Sequence, residues 1–92
     1  MIARRVVIRG RVQGVGYRDS MVDAARRYGV TGWVRNDRVG TVEAFVQGAP
    51  EAVGFVLSWC WRGPPRARVT EVEAAQEEPD PAFHGFERRP TR

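Results

Sequence analysis

The chain has 92 residues and a net charge of +4, and its fifteen basic residues are all arginine. Without lysine, Schiff-base, Walker-A and kinase-type lysine mechanisms are excluded. One cysteine, Cys60, rules out an internal disulfide and gives no metal-ligand spacing. From the N-terminus, Val6 to Val12 reads as a first strand, rich in β-branched residues. The segment Gly10-Arg11-Val12-Gln13-Gly14-Val15-Gly16-Tyr17-Arg18 is a glycine-rich turn into a helix. Such a turn can aim several backbone N–H groups at one point, where the helix dipole also favours an anion. Arg18 adds a permanent charge and a planar fork of donors suited to phosphate oxygens. On these residues alone, anion binding and a plain turn are both open.

From Arg18 to Tyr28, the spacing of Met21, Ala24, Ala25 and Tyr28 predicts a helix with one apolar face, capped by Gly29. Val30 to Arg35 is a second strand, and Asn36-Asp37-Arg38-Val39-Gly40 is a turn. Thr41 to Gln47 alternates as a half-buried strand, with Val42, Ala44 and Val46 on one side. Pro50 and Glu51 suit the start of a second helix. Its inner stripe is Val53, Val56, Leu57 and Cys60, and Gly63-Pro64-Pro65 stops it. Val69 to Ala74 is a fourth strand, Gln76 to His84 a polar loop, and Phe86 anchors a short final strand.

The order β-α-β-β-α-β predicts an α+β ferredoxin-like sandwich, with two helices on one face of an antiparallel sheet. A helical crossover makes the first two strands parallel, with the third strand between them. Their C-terminal ends then share one sheet edge. The glycine loop and Asn36 both lie there, about 10 Å apart, or two strand spacings.

Val12-Gln13-Gly14-Val15-Gly16-Tyr17-Arg18, then Thr31-Gly32-Trp33-Val34-Arg35-Asn36 and Gly40-Thr41-Val42-Glu43, resembles the acylphosphatase signature. The resemblance continues through Gly48 and Gly63-Pro64-Pro65 to Phe86 and covers nearly the whole chain, and 92 residues support one domain over residues 1–92. It implies the same fold and an enzyme that hydrolyses the carboxyl–phosphate bond of acyl phosphates, with inorganic phosphate as product and inhibitor. Arg18 would bind the phosphate, and the backbone amides of Gln13, Gly14, Val15, Gly16, Tyr17 and Arg18 would cradle it. Asn36 would orient the attacking water. Members usually carry Phe where this chain has Tyr17, which is expected only to add a hydroxyl near the loop.

The chemistry fits those residues. An acyl phosphate expels a carboxylate whose conjugate acid has a pKa of about 4, so no general acid is needed. Phosphoryl transfer then demands positioning and charge stabilisation, which a backbone nest and one arginine supply. A neutral amide holds a water by donating and accepting at once. No metal, cofactor or nucleophilic side chain is called for. Without the resemblance, a turn-forming role is the preferred reading of Asn36.

His84 reads as a solvated loop residue, and Ser20 lacks a histidine partner. Asp19 and Asp23 suit the positive end of their helix, and at least one of Trp59 and Trp61 is expected at the surface. An RNA-binding module is the rival reading, but the third strand lacks the aromatic pattern for base stacking. A non-catalytic acyl-phosphate or carbamoyl-phosphate binding unit is another. No nucleic-acid or membrane partner is expected. The chain has no membrane-length apolar run and no signal-peptide pattern before the first strand, so a cytoplasmic location is expected; a monomer is expected as well.

Overall fold

The computed structural model describes residues 1–92. Seven elements follow in order: β1 (Ile2–Arg11), α1 (Tyr17–Arg27), β2 (Thr31–Asn36), β3 (Val42–Gly48), α2 (Pro50–Arg62), β4 (Arg68–Glu77) and β5 (Phe86–Arg88). The strands form one sheet in the order β4-β1-β3-β2-β5. β3 runs antiparallel to both β1 and β2, so those two are parallel to each other, as the crossover requires. β5 adds to the outer edge of β2 in the parallel sense, so the sheet is mixed and not purely antiparallel.

The helices pack on one face over a core that includes Val6, Ile8, Val34, Val42, Ala44 and Val46 from the sheet. Met21 and Ala25 of α1 and Val53, Val56 and Cys60 of α2 meet them at helical spacing. Leu57 is only partly buried at the edge of this stripe. α1 ends in a Schellman arrangement, with the Val30 N–H donating to the Ala25 carbonyl and the Gly29 N–H to that of Arg26. Pro50 takes the first turn of α2, where its missing N–H leaves no bond unmade.

Further predicted features differ. β3 is covered on both faces: Ala3, Trp33 and Phe45 form a second small cluster, with Phe83 against it. Gln47 exchanges side-chain hydrogen bonds with the Asp80 backbone at 2.7 and 2.8 Å, so the 80–83 segment closes this face. β4 also runs on to Glu77, because β1 starts at Ile2 and offers Ala3 as its partner.

The Tyr17 hydroxyl is not near the loop. Tyr17 is fully buried, and its hydroxyl donates to the Cys60 carbonyl at 2.7 Å. That carbonyl would accept from residue 64 in a continuing helix, but Pro64 has no N–H. The tyrosine therefore ties the start of α1 to the last turn of α2. Its ring also packs on Trp59, 5.2 Å between centroids, which draws Trp59 inward while Trp61 stays exposed. Burial pushes the Tyr17 hydroxyl well above the ordinary tyrosine range and the Cys60 thiol up to about 12, so neither ionises near neutrality.

Tyr17→Phe keeps the ring and strands the Cys60 carbonyl. Urea unfolding is expected to show a loss of about 1–2 kcal/mol. A variant as stable as the parent would show that the carbonyl finds another donor.

Candidate active site

The register places the site. Val42 of β3 faces Ile8 of β1 on one side and Asn36 of β2 on the other. β1 then runs three residues further and turns into residues 12–16, which return toward Asn36 as α1 begins. Val12, Val15 and Tyr17 are buried, while Gly14 and Gly16 between them face out. The loop is thus held from below by alternate side chains.

Gly14 and Gly16 have φ of 73° and 80°, a left-handed conformation that side chains with a Cβ resist. Gly16 is the N-cap of α1, and it has no side chain to satisfy the first helical N–H groups. The first bond of the helix is from the Ser20 N–H to the Gly16 carbonyl, 3.1 Å. The N–H groups of residues 13–19 donate to no protein acceptor. Open donors at a helix N-terminus form a cradle for an oxyanion.

This cradle lines a cavity of about 190 Å³ together with Arg18, Asp19, Asn36 and Arg88. Asn36 is 8% exposed, and its Oδ1 is buried without a hydrogen-bond partner. A buried polar atom left unpaired by the protein normally costs stability, so this oxygen calls for a partner from outside the chain, such as a water or a bound group. The Arg18 guanidinium is free of carboxylates, because neighbouring Asp19 is taken by Arg88 at 3.0 Å. Burial and the Arg88 charge pull the Arg18 guanidinium below its ordinary value, with Asp19 opposing them. Arg18 remains a cation at any working pH.

The side chain of Gln13, expected only to offer its backbone N–H, and Arg88 make contributions that the sequence alone did not assign. The Gln13 side-chain amide donates from Nε2 to the carbonyls of Asp37 and Thr41 at 2.7 and 2.9 Å. It pins the loop to the turn that follows Asn36. Arg88 is the second. The alternation that buries Phe86 puts Arg88 on the same, helix-facing side of β5, which is the signal that could have found it.

His84 lies elsewhere. It lines a hollow of about 520 Å³ with Arg26 and Phe86, at the opposite end of β2 from Asn36. Ser20 has no partner at the cavity, and no group of His, Cys, Asp and Glu is placed to hold a metal ion.

A family model described as acylphosphatase matches residues 4–88. An acylphosphatase of Acidovorax sp. strain JS42 is 54% identical over 98% of this chain and 92% of its own length. One from Thermococcus kodakarensis is 56% identical over 86% of each chain. The crystal structure of acylphosphatase from Bacillus subtilis superposes with a TM-score of 0.92 at 29% identity, covering 97% of this chain and 99% of that one.

If Gln13 holds the turn, Gln13→Ala should speed amide exchange at Asp37 and Gly40 and cost about 1–2 kcal/mol of stability. Exchange at the parental rate would show that the turn holds itself.

Proposed function

The chain belongs to the acylphosphatase family, and from that premise we propose that residues 12–18 and Asn36 perform its hydrolysis of acyl phosphates. The reaction yields a carboxylate and inorganic phosphate. The observation that carries the assignment is convergence: open loop N–H groups, an uncommitted arginine and an unpaired buried amide oxygen meet in one cavity.

The phosphoryl oxygens take the N–H groups of Gln13, Gly14, Val15, Gly16, Tyr17 and Arg18, and the Arg18 fork. These donors are fixed before the substrate arrives, so little reorganisation accompanies the charge shift in the transition state. The Asn36 Oδ1 accepts a hydrogen bond from water and directs its lone pair at phosphorus. The water oxygen bonds to phosphorus as the bond to the acyl oxygen breaks, and that electron pair leaves with the carboxylate. The water's proton passes to a phosphate oxygen. Because the leaving group is a weak base, no protein acid is required.

Inorganic phosphate keeps the oxygens that the cradle recognises, so product inhibition goes with the reading. We also take residues 1–92 as one domain, acting as a monomer in the cytoplasm. No helix is long and apolar enough to cross a membrane. A role in stacking RNA bases is disfavoured by the sheet face away from the helices. Trp33 and Phe45 there are 4% and 6% exposed, too covered to receive a base.

Since a good leaving group and fixed donors suffice, turnover of benzoyl phosphate should survive exhaustive chelation. Activity lost to chelator and restored by a divalent ion would overturn the scheme. Arg18→Lys keeps the charge and loses the fork, so kcat/KM should fall by about 2–4 kcal/mol with weaker phosphate inhibition. A folded, fully active lysine variant would sink the assignment of Arg18.

Asn36 gives the sharper test. Asn36→Ala should lower kcat about 100-fold. It also deletes an unsatisfied buried oxygen, so the melting temperature should hold or rise. Normal kcat in this variant would return Asn36 to the role of turn former.

A further inference from the structure

We infer that Arg88 is a second guanidinium for the dianionic phosphoryl group, exchanging its contact with Asp19 for the substrate. The inference rests on the reading of residues 12–18 as the phosphoryl cradle. β5 lies beside β2 with Arg88 opposite Val34, two residues before Asn36. From there Arg88 lines the same cavity as Gly14, Gly16, Arg18 and Asn36.

Charge is the argument. A phosphoryl dianion held by Arg18 alone keeps one unit of uncompensated negative charge. Two guanidinium groups match it. They already sense each other, since the Arg88 charge helps to lower the Arg18 ionisation. An anion between them relieves that repulsion. The contact to be given up is weak, because the Arg88 and Asp19 side chains are 46% and 71% exposed. Asp19 then remains solvated in the first turn of α1, where the helix dipole supports it. In the free protein, the Asp19 contact keeps Arg88 at the mouth and leaves Arg18 without a competing carboxylate.

Sulfate and perchlorate test this directly, because both are tetrahedral oxyanions of fixed charge, two and one. Their inhibition of benzoyl phosphate hydrolysis, and their affinity by calorimetry, would be measured on the parent, Arg88→Gln and Arg88→Lys. For Arg88→Gln, KM and the sulfate constant are expected to rise about tenfold, against about threefold for perchlorate and a smaller change in kcat. Arg88→Lys should recover most of the sulfate affinity. Arg88 lies outside the core, and circular dichroism checks each fold. Sulfate binding within twofold of the parent in Arg88→Gln, or equal losses for the two anions, would overturn the proposal. Absence of turnover in the parent would instead strike the catalytic reading, and the calorimetric comparison would still decide the role of Arg88.

Discussion

The site depends on leaving backbone donors without acceptors. An ordinary helix start would close them with a serine or aspartate at the N-cap. Here Gly16 takes that position and its neighbours donate to nothing in the protein. Unsatisfied donors are tolerable at a surface, where water serves them until an anion replaces it. They could not hold their direction if the loop were mobile. Val12, Val15 and Tyr17 sink into the core between the exposed glycines, and the Tyr17 hydroxyl fastens the loop's end to α2. The apolar core therefore orients the polar cradle.

The same logic applies across the cavity. Asn36 ends a strand whose partners leave it little freedom. β3 pairs with it on one side, and its own carbonyl accepts the Arg92 N–H at 3.1 Å. Gln13 then links the cradle to the turn just beyond, so the two halves of the site keep a fixed spacing. Under the proposed reading, fixed spacing is what phosphoryl transfer asks of a scaffold, because most of its barrier is lowered by position and preset charge.

The face away from the helices uses the arginines differently. Glu43 of β3 lies between Arg5 and Arg35, at 3.3 and 2.7 Å. Arg35 and Arg89 also lie over the Trp33 ring, 4.5 and 5.0 Å from its centroid. Guanidinium planes suit both an acid and an aromatic face, which an ammonium group does less well. Phe83 packs on Phe45 at 5.3 Å and brings the chain round to β5. The chain then pairs along β2 as the edge strand that carries Arg88.

Much of this was legible beforehand. The apolar spacing in α1 and α2, the alternation in β3 and the β-α-β-β-α-β order with its two crossovers determined the sandwich and put Asn36 beside the glycine loop. These are local periodicities and chain-handedness rules, which the residues carry with them. The parallel docking of β5, the covered second face of β3 and the inward hydroxyl of Tyr17 depended on contacts between residues 33 to 69 positions apart. No local pattern encodes which distant carbonyl lacks a donor. That Cys60 needs Tyr17, that Gln13 reaches past Asn36 and that Arg88 meets Asp19 became decidable only when packing brought the partners within reach.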